Sequence, residues 1–337
     1  MTIKNIKMDY IMNRKTFLKK SSLSLLGLST LPSITANTMR NVFTEEVIGA
    51  KQTEKTPEKT IRTIAYNIFN GGIGYKGING HALPEGEESL LVKAARDKGQ
   101  IPKRIMLELA LYDPHIINFS ESAKEFVVAN MAKYINYNYV HFTGGKNGLG
   151  NYPGSILTPF EIVYSENRPF VNKEANDSDE LFTRHWGKAY IRLPNGELIS
   201  VHSAHLWPFN KEKKDGEIRL AEIDEILKSI DYDLKHNVKS VLLQGDLNHA
   251  PDTPEYKKYI DGGMLDTFDK AGVKDNLNTV NSIKLTRRID YIFAKGKIQN
   301  QVSDHRVLFE GNFRTNNDDP MSYALSDHLP VLMEFEI

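Results

Sequence analysis

Six separate segments of this chain set a carboxylate, an amide or an imidazole beside a short apolar run. They are Asn67, Glu121, Ser203-Ala204-His205-Leu206, Gly245-Asp246-Leu247-Asn248, Arg288-Ile289-Asp290-Tyr291 and Ala324-Leu325-Ser326-Asp327-His328-Leu329-Pro330. Those residue types do two kinds of chemistry. Carboxylates and amides hold hard cations and water through oxygen. An imidazole beside a carboxylate moves or holds a proton near neutral pH. One segment alone would say little; six of them, each at the end of a strand-like run, describe a site assembled from distant parts of the chain.

Asp246 and Asn248 are two residues apart, just after an apolar stretch. If extended backbone continues through them, both side chains point to one side. A carboxylate and a neutral amide together hold a hydrated cation, or a water and a phosphate oxygen, without accumulating negative charge. Gly245 permits a close backbone approach. The same tetrapeptide also reads as an Asx-rich turn leading to Pro251. Two histidines compete for one role: His202 and His205 are three residues apart, so a strand sends them to opposite faces.

The elements that must position these residues begin at residue 61. Arg62 to Ile68 has the pattern of a buried strand. A Gly-rich loop follows over 71–86, and residues 87–111 carry helical spacing broken near Gly99 and Pro102. His115 to Phe119 is a short apolar strand ending at Ser120-Glu121, with a helix over 122–135. Residues 143–154, rich in Gly and Asn, form a surface loop. Strands are expected at 155–157 and 161–164, then a hairpin of 188–193 and 197–206 across Pro194-Asn195-Gly196. A loop over 207–217 carries Trp207 and Lys211, Lys213 and Lys214. Ile218 to Ile230 follows as an amphipathic helix, with Ile218, Ala221, Ile226, Leu227 and Ile230 on its apolar side. Ser240 to Gln244 is almost wholly apolar, as a strand covered on both faces should be. Strands at 290–294 and 329–337 complete the set. Helices and strands alternate without a strict βαβ rhythm. The expected class is therefore α/β (α+β): two packed, mostly antiparallel sheets with helices outside.

The ordered set of motifs resembles the endonuclease/exonuclease/phosphatase family, the metal-dependent phosphoesterases related to DNase I, over residues 61–337. The resemblance implies a four-layer α/β sandwich with the catalytic loops at one edge of the sheets. It implies that Glu121 is the principal ligand of a divalent cation, Mg²⁺ or Mn²⁺, although Ser120 stands where the family usually has glutamine. Asn67 would neighbour Glu121 and orient the metal or a phosphate, and Asp327 would lie near the metal or the water. His328 would serve as general base, with Asp290 fixing its tautomer. Asp246 and Asn248 would place the water. His205, rather than His202, would meet a phosphoryl oxygen or assist the leaving group, because Ala204-His205-Leu206 precedes a loop and helix as in the wider family. Arg184 matches a phosphate-contacting arginine of DNase-like members.

The remaining sequence sets bounds. The chain has 337 residues, 43 basic and 43 acidic, so no global basic field marks it for nucleic acid. With no cysteine there is neither a disulfide framework nor a thiolate metal site. No Gly-x-Ser-x-Gly elbow and no His-Glu-x-x-His segment is present, which removes the main support for a serine hydrolase or a zinc protease. Residues 1–36 have the order of an export signal: a basic stretch from Asn13 to Lys20, a short apolar run from Ser21 to Ile34, and Ile34-Thr35-Ala36 as a cleavage site. Arg14-Lys15-Thr16-Phe17-Leu18-Lys19 resembles a twin-arginine signal with lysine in the second place, so either general or twin-arginine export fits. That run is too short for a membrane span. Residues 37–60 are polar and aperiodic, a linker.

The expectation is an exported, monomeric, metal-dependent phosphoesterase using in-line attack by water. Its substrate would be nucleic acid, a nucleotide, a phospholipid or a sugar phosphate, with an extracellular nuclease as one form. The loops over 71–86, 143–154 and 207–217 are not conspicuously apolar, which disfavours a lipid hydrolase that inserts in membranes. The competing class is a non-catalytic module that binds phosphate or protein on the same fold.

Overall fold

The computed structural model describes residues 59–337 except 70–93, 96, 146–151, 177–180, 275–276, 281, 283–284 and 315–323. The expected export signal 1–36, the linker up to residue 58 and the loop 71–86 lie outside the described residues. No helix among the described residues is long and apolar enough to cross a membrane.

Two six-stranded sheets form the centre. The first contains β1 (Thr60–Asn67), β2 (Ile116–Ser120), β3 (Asn138–Phe142), β4 (Gly154–Thr158), β11 (Val302–Val307) and β12 (Val331–Glu336), in the order β11-β12-β1-β2-β4-β3. The second contains β5 (Glu161–Asn167), β6 (His185–Arg192), β7 (Leu198–His205), β8 (Ser240–Asp246), β9 (Leu265–Asp266) and β10 (Asp290–Gly296), in the order β5-β6-β7-β8-β10-β9. Pairing is antiparallel except for β1–β2 and β7–β8, which are parallel. The α-helices among the described residues are α1 (Ile101–Ala110), α2 (Glu125–Tyr134), α3 (Lys173–Asn176), α4 (Lys213–Lys235), α5 (Pro254–Asp261) and α6 (Thr267–Ala271). The expected sandwich of two mostly antiparallel sheets flanked by helices is the fold observed.

Strand β8 shows why the layers form. Val241 and Leu243 enter an apolar cluster with Ile223, Ile226 and Ile230 of α4. Leu242, on the other face, joins Ala65 of β1 and Ile116 of β2, which share the faces that carry Thr63 and Asn118 toward this sheet. Period-two alternation thus feeds two cores from one strand. Fully burying each such side chain stabilises by roughly 1.5–3 kcal/mol. Helices α1 and α2 cover the outside of the first sheet through Ile105, Leu109, Val128 and Met131.

Several boundaries differ from the sequence reading. Thr60 already pairs with Glu336, so β1 starts inside the expected linker. Strand β6 begins at His185 rather than Lys188, because β7 offers a register partner for each residue back to His205. The hairpin turn is as expected, with Gly196 at φ 85°. Helix α4 starts at Lys213, inside the expected loop: Glu212 and Asp215 form a reciprocal capping box that satisfies its first N–H groups. Ala221 and Leu227 lie at the margin of its buried face, where Ile223 does the packing. Strands β9 and β11 carry no apolar run and were not expected.

Candidate active site

Strand register builds the site. Across the second sheet His185 lies opposite His205, His205 opposite Asp246, and Asp246 opposite Asp290. Register partners share a sheet face. Four polar residues therefore form one row at the end of β6, β7, β8 and β10, facing the first sheet. There, Asn67 of β1 pairs with Ser120 of β2. Glu121 follows directly at φ 48°, a left-handed turn at the strand end. The segment before β12 contributes Asp327 and His328.

Hydrogen bonds tie the two sheets together at this edge. Asn67 Nδ2 donates to Asp246 Oδ2 at 3.0 Å, and its own Oδ1 accepts from the Phe69 N–H at 3.0 Å. His328 Nδ1 lies 2.8 Å from Asp290 Oδ2. Its Nε2 is 3.8 Å from Asp246 Oδ2, and His205 Nε2 is 3.5 Å from the same oxygen. Ser326 Oγ donates to the Asn67 carbonyl at 2.7 Å, which holds the His328 segment against β1. The Ser120 hydroxyl accepts from the Asp246 N–H at 3.3 Å. Gly245 makes this approach possible. It sits at φ 144°, and a Cβ there would fall 1.9 Å from the Ala204 carbonyl oxygen.

Burial and crowding set the charges. Burial, with the Asp290 carboxylate next, pushes Asp246 up to about 7, against His328 and the Asn67 hydrogen bond. Burial alone would make His328 neutral, but Asp290, Asp327 and Asp246 overcome it and raise its imidazolium to about 10. Glu121 is raised by burial and by Asp327, with His328, Arg184 and Asn67 opposing. His205 is held neutral, well below its ordinary value, by burial and by neighbouring Arg184, His185 and His328. The Asp290 Oδ1 atom is buried without a hydrogen-bond partner. One ligand atom each from Asp246, Asp290 and His328 lie within 4.8 Å of one another. Four carboxylates facing two cations, with a carboxylate oxygen unsatisfied, is a donor set that fits a hard divalent cation.

Every residue expected at the site lies on or beside this edge. Asn248 reaches it differently from the expectation. The strand ends at Asp246, and Asn248 turns left-handed at φ 52°. Its N–H donates to Asp246 Oδ1 at 3.1 Å, and its Nδ2 donates to the Leu206 carbonyl at 3.1 Å. The tetrapeptide is thus an Asx turn as well as part of the site. The two histidines separate by parity. His205 faces Asp246, whereas His202 faces α4, where its Nε2 lies 3.0 Å from Asp233 Oδ2 and its Nδ1 accepts from Trp186 Nε1 at 3.3 Å. Arg184, immediately before β6, lies 3.4 Å above the Tyr152 ring. Its Nη1 is buried and unpartnered.

Sequence reasoning missed Tyr152, His185 and Thr279. The Tyr152 ring supports Arg184 and meets His205 edge-on at 6.4 Å. His185 extends the polar row, its Nε2 3.0 Å from Ser203 Oγ. It fills the space that a side chain at Gly154 would need. Thr279 Oγ1 accepts from the Asp290 N–H at 3.2 Å. Starting β6 three residues earlier would have exposed His185; nothing local marks Thr279.

No family model matches the sequence, and no curated protein matches it. Solved structures do match in three dimensions. A mannosyl-6-phosphatase from Bacteroides thetaiotaomicron is similar at 18% identity and TM-score 0.60, covering 82% of this chain and 100% of that one. An endonuclease/exonuclease/phosphatase family protein from the same organism is similar at 16% identity and TM-score 0.59, covering 82% and 97%. Truncated TDP2 from Caenorhabditis elegans is similar at 15% identity and TM-score 0.55, covering 82% and 98%. At such identities the likeness is one of fold: this chain has the endonuclease/exonuclease/phosphatase, DNase I-like fold.

Proposed function

We propose that this protein is a divalent-metal-dependent phosphoesterase that hydrolyses a phosphodiester or phosphomonoester by in-line attack of water. One observation carries the reading: the Asp290–His328 pair, 2.8 Å apart, faces Asp246 across a buried edge built by both sheets. The fold, shared with proteins named as phosphatases, supports it. Fold alone would not give activity.

Asn67, Glu121 and Asp327 would hold Mg²⁺ or Mn²⁺. The bound cation supplies neutralisation of phosphoryl charge and stabilisation of the leaving oxygen. The chain's own residues divide the rest. Asp246, a buried carboxylate raised by its surroundings and set 3.8 Å from His328 Nε2, would take the proton from the attacking water. In this proposal Asp246 takes the base role that the sequence reading gave to His328. With its imidazolium raised to about 10, His328 instead donates from Nε2 to a phosphoryl oxygen as charge builds there. Asp290 holds Nδ1 and fixes that orientation. His205 stays neutral and donates or accepts without adding charge. Asn248 commits one amide N–H to Leu206 and presents the other to substrate. Arg184, braced on Tyr152, adds attraction for the anion.

The substrate class is a phosphoester of nucleic acid, nucleotide, phospholipid or sugar phosphate. Export as a monomer, directed by the signal-like segment, would suit scavenging of extracellular phosphate or nucleic acid. The test is hydrolysis of bis(p-nitrophenyl) phosphate, plasmid DNA, sphingomyelin and mannose 6-phosphate with Mg²⁺ or Mn²⁺. Controls are EDTA, His328→Ala and Glu121→Gln. Metal-dependent turnover lost in all controls supports the reading. Turnover retained in EDTA or in His328→Ala overturns it.

A further inference from the structure

A cavity of about 450 Å³ lies on the outer face of the second sheet, between the β5–β6 edge and α4. Its size falls within the range of small-molecule sites, roughly 300–1,000 Å³. Lys188 is three residues beyond His185 on β6, so it points to the opposite sheet face about 10 Å along the strand. The cavity is therefore separate from the catalytic edge. Its walls are the rings of Tyr164, Tyr190, Tyr232 and Phe170, and its polar lining is Lys188, Ser229 and Glu166.

The polar lining is built rather than incidental. Lys188 is only 3% exposed. Its ammonium donates to Asp233 Oδ1 at 2.7 Å and to Ser229 Oγ at 3.3 Å. Its second acidic neighbour, Glu166 Oε2, is 4.0 Å away, too far for a hydrogen bond. One N–H of a buried ammonium is thus left for an oxygen in the cavity. Asp233 is itself held by Tyr190, Ser200 and His202 and cannot turn away from Lys188. Glu166 offers an acceptor at the rim, and Tyr164 and Tyr232 are about half exposed.

Charge decides among ligand classes. An organic cation would compete with Lys188, whose ammonium is already 5.4 Å from the Tyr190 ring and 5.8 Å from the Tyr232 ring. An anion would face the Glu166 carboxylate of the lining, while the Lys188 charge is already matched by Asp233 behind it. A neutral ring with an apolar face and several hydroxyls meets neither objection. Its face stacks on tyrosine while its hydroxyls bond to the Lys188 N–H and the Glu166 carboxylate. We propose that this outer cavity is a saccharide-binding site for a neutral pyranose unit, distinct from the phosphoester site.

The experiment is titration of the whole chain with mannose, glucose, galactose and N-acetylglucosamine by calorimetry and saturation-transfer NMR. Tetramethylammonium and acetate serve as charged probes. Tyr232→Ala and Glu166→Gln are tested in parallel, with melting temperature and phosphoester hydrolysis as controls for folding. Saturable binding of at least one sugar is expected, weakened about tenfold (~1.4 kcal/mol) in each variant, with melting temperature unchanged. Binding needs no turnover, so this result is independent of the catalytic reading. Three outcomes would overturn the proposal: no sugar binds, sugar binding persists in both variants, or only a charged probe binds.

Discussion

Asp290 Oδ2 and His328 Nδ1 are 2.8 Å apart, although β10 carries Asp290 in one sheet and the segment before β12 carries His328 from the other. The bond is at once a clasp between sheets and the setting of a proton. Burial and the Asp290 carboxylate raise Asp246, and Asp290, Asp327 and Asp246 raise His328 against burial, so a reaction needing ionised Asp246 and cationic His328 has a bell-shaped pH profile. The Asp290 carboxylate raises both groups. In Asp290→Asn, therefore, the acid and alkaline limbs of kcat/KM should both move to lower pH, and kcat should fall on the order of 10²-fold or more. A pH–rate profile of the metal-saturated enzyme checks this. An alkaline limb that stays in place would mean that Asp290 does not hold the proton on His328.

Gly245 should tolerate no side chain. Its φ of 144° is one that L residues rarely adopt, and an added Cβ would overlap the Ala204 carbonyl of the neighbouring strand at 1.9 Å. That contact is backbone on backbone, so no rotamer change relieves it. Gly245→Ala should cost about 3 kcal/mol or more, from strain at a special φ and local overpacking. It should also displace Asp246 and lower activity. Urea unfolding checks the first, and a near-wild-type midpoint would contradict it.

The site was more legible than the arrangement that creates it. Asp246, Asp290 and His328 stand in short motifs at strand ends, and the chemistry of each could be named from residue type. Their alignment could not, since it depends on β7, β8 and β10 pairing in one register over more than eighty residues of separation. Parity alone separates His205 from His202, but which face carries the site is decided by α4 covering the other. Strand β11, Val302 to Val307, pairs at the sheet edge with Val302, His305 and Val307 buried and Ser303, Asp304 and Arg306 exposed between them, so no apolar run announced it. The early start of α4 rests on Glu212 acting as cap, a residue outside the usual Ser, Thr, Asp or Asn. Asn248 departs from the extended expectation because its N–H is captured by the Asp246 carboxylate.

His249 gives a stability prediction with a defined sign. It is stacked on Tyr291 at 4.9 Å, with Nε2 buried and unpartnered. Burial lowers it to about 4, partly opposed by its bond to the Ala250 carbonyl. In the unfolded chain a histidine titrates near ~6.5. Between those values the unfolded state binds the extra proton. The contribution is therefore intact above 6.5 and lost as pH falls toward 4, at about 1.4 kcal/mol per pH unit. Phe at this position keeps the stack and does not titrate. Wild type should lose stability relative to His249→Phe progressively below pH 6.5, with no further change in the difference below about 4. Parallel urea midpoints from pH 7.5 to 4 test this; a constant difference would show that His249 is protonated equally in both states.

Asp233 is the polar centre on the helix side of the second sheet. It is fully buried, and it accepts from Lys188, Tyr190, Ser200 and the His202 ring. Burial opposes its charge, but those donors prevail and hold it below the usual carboxylate range. Asp233→Ala strands the Lys188 ammonium at 3% exposure with only Ser229 in hydrogen-bonding reach. Breaking one partner of a buried pair costs about 3–5 kcal/mol. Replacing both with apolar residues removes the stranded charge, so Lys188→Met/Asp233→Leu should recover much of the loss. Denaturant unfolding of the two variants separates these terms. If the double variant were as unstable as Asp233→Ala, the cost would lie in the hydroxyl and imidazole partners of Asp233 rather than in the ion pair.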